Sequence, residues 1–226
     1  MNKEHKLVIA GDSAFAEIAY EYFTADSAFE PVAFSVEAAF LKRDSLFGLP
    51  VVPFEELEKF YDPATHCVYA AIVYTQLNRL RRRIMAAAKA KGYSLASYIS
   101  SNAFVWKNVR MGEHCFIFED NTVQPFVTIG DNVVLWSGNH IGHHSTIKDN
   151  VFISSHVVVS GYCGIGDNTF LGVNSTLANN VSIGADCWVG PSATIMQDAP
   201  ADTLFKSPKA EVATAGARRF FRIRES

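Results

Sequence analysis

Four histidines fall close together in the second half of the chain: His140, His143, His144 and His156. A neutral imidazole near pH 7 takes up a proton and gives it back. A histidine held between apolar walls with a polar opening is therefore suited to general-base work. The densest stretch is Asn139-His140-Ile141-Gly142-His143-His144. His143 and His144 are the pair expected to act, the alternative being that they cap backbone carbonyls at a corner of the chain. His140 and His156 stay open between function and structure, and His114 is expected to be structural. The four cysteines, Cys67, Cys115, Cys163 and Cys187, contain no C-x-x-C pair. They read as small buried hydrophobes rather than disulfides or metal ligands, which suits a reducing cytoplasm.

What must position the histidines is a ladder. An aliphatic side chain returns at every sixth residue from Ile99 to Ile195, through Val105, Met111, Ile117, Val123, Ile129, Leu135, Ile141, Ile147, Ile153, Val159, Ile165, Leu171, Leu177, Ile183 and Val189. Period six fits neither an amphipathic helix nor a hairpin meander. It is the hexapeptide signature of a β-helix, in which one short strand and one corner make each repeat. Three repeats close a triangular coil, so residues 18 apart stack. Glycines right after the aliphatics (Gly112, Gly130, Gly142, Gly166, Gly172, Gly184, Gly190) are expected to supply positive φ at the corners. The register turns Ile141 inward and leaves His143 and His144 at the exit toward a corner. Their stack neighbours are Pro125 and Phe126 before, and Gly161 and Tyr162 after.

The first 96 residues read differently. Lys6–Ala10, Pro31–Val36, Pro50–Val52 and His66–Val73 are apolar, strand-like runs; Ala14–Phe23, Phe54–Tyr61 and Gln76–Lys91 are helical. Strands alternating with helices indicate a small α/β domain with a Rossmann-like parallel sheet. Ligands of such sheets bind at the carboxyl ends of the strands. The candidate contacts are therefore Gly11, Asp12, Ser13 and Phe15 in the first turn, with Glu37 and Val73; Asn139 is the candidate beside the histidines. The first turn lacks G-x-G-x-x-G, which argues against a dinucleotide. Arg79, Arg81, Arg82 and Arg83 spread around one helix and read as a solvated face. With 226 residues the chain has room for two domains: 1–96, then the β-helix over 97–200, with a tail over 201–226. A net charge of −3 argues against nucleic acid as the main partner. No apolar run approaches a membrane span, and the N-terminus turns polar too soon for a signal peptide.

On the hexads, the domain order and the stretch Gly142-His143-His144-Ser145-Thr146-Ile147, the sequence resembles the hexapeptide-repeat acyltransferases with a left-handed parallel β-helix. More narrowly, it is similar to the bacterial nucleotide-sugar acetyltransferases typified by UDP-amino-sugar and GDP-perosamine N-acetyltransferases. The resemblance implies a homotrimer with sites between neighbouring solenoids. It places His143 on the catalytic base, which takes a proton from the acceptor amine as the amine attacks the acetyl thioester. The family commonly has an acid directly after that base; here His144 stands there. A family histidine that touches acetyl-CoA falls on Phe152, and His156, one corner along, is the candidate substitute. The resemblance further implies that Gly161 and the backbone around Val173 and Ser182 line the pantetheine arm. Lys206-Ser207-Pro208-Lys209-Ala210 stands where the family has a G-x-P-A loop near the CoA nucleotide, with Lys206 and Lys209 as contacts; Arg218, Arg219 and Arg222 follow. The family's first-domain motif is glycine-rich with a histidine near Phe15; this chain has neither, so the nucleotide is not carried over.

The expected activity is acetyl-CoA-dependent N-acetylation of a nucleotide-linked amino sugar for surface-polysaccharide synthesis, in the cytoplasm, without metal, nucleic-acid or membrane partners. Three readings compete. O-acetylation of a sugar uses the same base. Gamma-type carbonic anhydrases share the solenoid but bind zinc through an H-x4-H pair, which is absent here. A non-catalytic trimeric scaffold is the third.

Overall fold

The computed structural model describes residues 2–223. The first unit contains β1 (His5–Ala10), α1 (Ala14–Ala25), β2 (Phe29–Val36), β3 (Ser45–Leu46), β4 (Leu49–Pro53), α2 (Leu57–Phe60), β5 (His66–Ala70), α3 (Arg79–Ala90) and β6 (Ser94–Leu95). Its sheet has the order β3-β4-β2-β1-β5-β6. Neighbours pair in parallel except in the β3–β4 hairpin. Leu7-Val8-Ile9-Ala10 is continuously apolar because both faces of β1 are covered. Leu7 and Ile9 pack toward Phe15, Ala16, Ala19 and Phe23 of α1. Val8 and Ala10 pack toward Ile84 and Ala88 of α3.

From Tyr98 onward the chain winds into a three-faced left-handed β-helix of two-residue parallel strands. Face 1 stacks the strands beginning at Tyr98, Phe116, Val134, Phe152, Phe170, Trp188 and Leu204. Face 2 stacks those beginning at Phe104, Thr122, His140, Val158, Thr176 and Thr194; face 3 stacks those beginning at Arg110, Thr128, Thr146, Gly164 and Ser182. Pairings between Tyr98 and Ile195 join residues 18 apart, as in Thr122 with His140 and His140 with Val158, and the last strand pairs at 16, Trp188 with Leu204. The second residue of each strand points inward, and from Ile117 to Ile195 these aliphatics form one buried core. Cys115, Cys163 and Cys187 are buried beside them as free thiols. The first rung departs from the expected ladder: Ile99 is 41% exposed because no earlier coil covers it.

The corners also depart from expectation. From Met111 to Val189 the left-handed residue stands three places after each aliphatic, and it is mostly Asn, Asp or His: Asn132, Asn150, Asn168, Asn174, Asn180, Asp120, Asp186, His114, His144 and His156. Short polar side chains tolerate this conformation best after glycine. The seven glycines after the aliphatics have ordinary φ. They serve close approach between coils, since a Cβ on Gly142 would lie 2.5 Å from the Ser160 carbonyl carbon.

Outward side chains give each face its own chemistry. On face 1, Phe116, Val134, Phe152 and Phe170 are buried in one cluster with Leu7, Phe15 and Phe23, so the first unit sits on this face. Face 2 leaves Phe104 and Val158 exposed, and face 3 is polar. Face 1 ends with Leu204–Phe205, and an exposed segment with the short helix α4 (Ala217–Phe220) follows.

Three expectations for the first unit are corrected. The segment 54–61 splits into a 3-10 turn, Phe54–Glu56, and α2. The strand from His66 ends at Ala70 rather than Val73. The helix expected from Gln76 starts at Arg79, because Gln76, Leu77 and Asn78 are all left-handed, with φ of 54°, 48° and 66°. Such a turn costs about 1–2 kcal/mol per residue. Docking holds it: Tyr74 packs on Phe170 at 4.4 Å, and Asn78 Nδ2 donates to the Asn168 carbonyl at 3.3 Å.

Candidate active site

His143 and His144 stand at the corner where face 2 turns into face 3, opposite face 1 and the first unit. Both imidazoles are exposed in the single chain, so the apolar walls do not enclose them. His144 is nevertheless tightly set. Its ring lies between Phe126, at 4.6 Å, and Tyr162, at 4.7 Å, each one coil away and both stacked on it. Phe126 and Tyr162 are themselves left-handed, with φ of 66° and 59°. Every other corner of the helix uses a small, polar or imidazole side chain at this position. Bulky aromatics in strained backbone mark a place held for something other than economy of folding.

His143 lies over Gly161, where a Cβ would come within 2.8 Å of the His143 Cε1. Gly161 therefore makes room for the imidazole. Its own N–H is already given to Asn179 Oδ1 at 2.9 Å, so that group is not free to donate to a pantetheine arm. The His143 backbone is fixed by its N–H donating to Gln124 Oε1 at 2.9 Å and its carbonyl accepting from Tyr162 N–H at 2.9 Å. The two histidines meet through their Nδ1 atoms, 3.1 Å apart. One Nδ1 must carry a proton and the other accept it. When His143 Nδ1–H donates to His144, His143 Nε2 is bare and can take a proton. The Nδ1–Nδ1 contact thus lets His144, directly after His143, hold that ring in place.

A second candidate region lies in the first unit, at the carboxyl ends of β1, β2 and β5. A cavity of about 270 Å³ there is lined by Gly11, Asp12, Ser13, Glu37 and Val73 among others. Gly11 has φ +128°, and a Cβ on it would meet the Ala71 carbonyl oxygen at 2.9 Å, so no other residue fits without strain. Ser13 starts α1 through its carbonyl, which accepts from Ala16 and Glu17 N–H, and its hydroxyl makes no capping bond. Ser35, also in the lining, is buried with an unpartnered Oγ. Glu37 receives both Arg83 terminal nitrogens at 2.7 and 2.8 Å, and these bonds hold its carboxyl below the usual carboxylate range. Asp12 faces Arg43 at 3.5 Å. Both acids of this pocket are thus countered by arginine.

Three expected contacts are buried instead. Phe15 is packed against Tyr69, Phe116, Phe118 and Trp136. Asn139 is 1% exposed and serves its own corner, donating to the Trp136 carbonyl and accepting from Val157 N–H at 2.8 Å. Phe152 is covered by Tyr74 and by the guanidinium of Arg81, 5.6 Å above its ring, so it cannot touch a cofactor. The remaining candidates are exposed but dispersed. His156 and Val173 stand at the corner between faces 1 and 2, Ser182 on face 3, and Lys206 and Lys209 in the C-terminal segment. Among the described residues no group of three His, Cys, Asp or Glu is placed to hold a metal ion.

Arg81, expected on a solvated face, is fully buried. It joins the two units by donating from Nε to Asn132 Oδ1 at 2.9 Å, from Nη2 to the Asn132 carbonyl at 3.0 Å and from Nη1 to the Ile72 carbonyl at 3.3 Å. Burial pushes its pKa down to about 10. His114 shares Asn132 Oδ1, donating from Nδ1 at 2.9 Å, while its Nε2 accepts the Ala70 N–H at 2.8 Å. Burial, then the nearby Arg81 charge, lower its pKa to about 3. Four arginines among five successive helical positions gave no signal of which one turns inward.

The bacterial transferase hexapeptide model (six repeats) matches residues 126–161, the stretch that holds both histidines. No curated protein matches the chain by sequence. Among solved structures, the acetyltransferase domain of PglB from Neisseria gonorrhoeae aligns with a TM-score of 0.79 and 22% identity, over 89% of this chain and 96% of that one. PerB from Caulobacter crescentus, in complex with CoA and GDP-perosamine, aligns with a TM-score of 0.76 and 25% identity, over 88% and 92%. WeeI from Acinetobacter baumannii aligns at 0.61 and 16%, over 89% and 96%. The chain carries the bacterial transferase hexapeptide repeat, and over nearly its whole length it is similar in fold to these structures, the PglB acetyltransferase domain among them.

Proposed function

We propose that the chain is an acetyl-CoA-dependent N-acetyltransferase of a nucleotide-linked amino sugar, serving surface-glycan synthesis, with His143 as general base. The observation that carries this reading is the open His143 imidazole, supported by Gly161 and oriented through Nδ1 by His144. The likeness to structures that hold acetyl-CoA, or CoA with GDP-perosamine, supports the substrate class.

In this reaction the amine nitrogen attacks the thioester carbonyl carbon. The C–N bond forms, the C–S bond breaks, and the amine proton passes to His143 Nε2. The resulting imidazolium can return that proton to the departing CoA thiolate. A thioester is already activated, so positioning supplies most of the acceleration, up to about 7–11 kcal/mol. The base adds on the order of 10²–10⁴-fold.

The reading also requires a second copy of the chain. The cavity at Gly11 and Val73 belongs to the unit on face 1, whereas His143 stands on the opposite corner. One chain cannot bring the two to a single acceptor; a neighbour's solenoid can. Exposed Phe104, Trp106 and Val158 on and beside face 2 offer apolar surface for that contact. A homotrimer is the assembly proposed, with the acetyl-CoA arm in the groove between solenoids and Lys206 and Lys209 near its phosphates.

Free-thiol release from acetyl-CoA, measured with UDP-, dTDP- and GDP-linked amino sugars, tests the reading. Turnover with at least one is expected. Thiol release only with hydroxyl acceptors, or with none of the panel, would overturn it.

A further inference from the structure

One coil before Phe126, the corner that carries His143 opens into a hollow of about 660 Å³ lined by Lys107, Asn108, Val109, Arg110, Phe126, Val127 and Thr128. Lys107 and Arg110 are both exposed, and neither forms an ion pair among the described residues. Among the described residues Arg43, Lys59, Arg79, Arg83, Lys89 and Lys91 each face an acid; Lys107 and Arg110 do not, and both line this hollow.

The wall of the hollow is built rather than loose. Asn108 Oδ1 accepts the Phe126 N–H at 3.0 Å, which fixes the first turn of the corner under the second. Phe126 is 59% exposed and stacks on His144 at 4.6 Å. In order along one corner, the chain thus presents two unpaired cations, an open aromatic face and the histidine pair. Asn108 and His144 are two coils apart, roughly 10 Å at the usual spacing of paired strands. That is about the reach of a hexose with the phosphate on its anomeric oxygen. Two cations with free donors suit a group that carries two charges and several acceptor oxygens.

We propose that Lys107 and Arg110 form a diphosphate subsite for the acceptor, with Phe126 under the sugar ring and the amine delivered to His143. The inference rests on the acetyltransferase reading. It deepens that reading by assigning the charged end of the acceptor to this corner. CoA carries the same phosphate chemistry, so the two sources must be separated by experiment.

Isothermal titration of inorganic pyrophosphate, UDP, GDP, dTDP and CoA into the wild type and into the Lys107→Gln/Arg110→Gln double variant does so. Both positions are exposed, and unchanged melting of the variant shows that it folds. The expected result is about tenfold or greater weakening of pyrophosphate and of the preferred nucleoside diphosphate, with CoA affinity within twofold. The wild-type affinity should also fall as salt rises. Loss of CoA binding alone, or unchanged affinity for every phosphate, would overturn the subsite. Wild-type binding of pyrophosphate, lost in the variant, without binding of any nucleoside diphosphate would keep the anion subsite and sink the nucleotide-sugar reading instead. Failure of the wild type to bind pyrophosphate or any nucleoside diphosphate would overturn the subsite itself.

Discussion

At the scale of single residues, the absence of a side chain is as informative as its presence. Gly161 leaves the space into which His143 lies, and a methyl group there would come within 2.8 Å of the ring. The ring is exposed and can swing aside, so the cost falls on its aim rather than on the fold. For Gly161→Ala we expect turnover to drop by about 10–100-fold, as a displacement of roughly 1 Å does elsewhere. The melting temperature should stay close to that of the wild type. Unchanged kcat in this variant would show that the position of His143 does not matter. The histidine pair itself was legible in the sequence, because the six-residue register fixes which residues leave the core. That Nδ1 meets Nδ1 was not, since it depends on χ angles and on the sandwich of His144 between Phe126 and Tyr162.

At the scale of elements, the ladder of aliphatics was readable without coordinates because its period is strict and a parallel coil can satisfy it in only one way. The function of the glycines was misread. Left-handed corners fall to Asn, Asp and His, and the glycines answer the closeness of neighbouring coils instead. Contacts between units were the least legible. Phe15, Phe152 and Arg81 lie on elements whose periodicity shows one buried face each, and it is the docking of the two units that buries a second. The same docking predicts a pH dependence. His114 has a pKa of about 3 in the fold, against 6.5 for its ordinary value. The unfolded chain therefore binds an extra proton between these values, and stability is full above pH 6.5 and lost as the pH falls toward 3. Denaturant unfolding between pH 7 and pH 4 should show this loss, with up to about 1.4 kcal/mol per pH unit from this group. The slope should be shallower in His114→Gln. Equal slopes in the two proteins would remove His114 from the account.

At the scale of the whole molecule, the three faces divide the work. Face 1 is spent on holding the α/β unit, face 2 keeps exposed apolar side chains, and face 3 is polar and meets face 2 at the histidine corner. The account therefore needs an assembly in which the corner of one chain meets the pocket of another. It makes His143 the group that takes the amine proton there. The most direct test is the steady-state kcat for thiol release by His143→Ala and His144→Ala, with the mass in solution measured alongside. The account predicts that both variants sediment at three times the chain mass of 24.9 kDa. It predicts that His143→Ala loses about 10²–10⁴-fold in kcat, with a smaller loss for His144→Ala. A trimeric His143→Ala that turns over near the wild-type rate, with His144→Ala inactive, would contradict it.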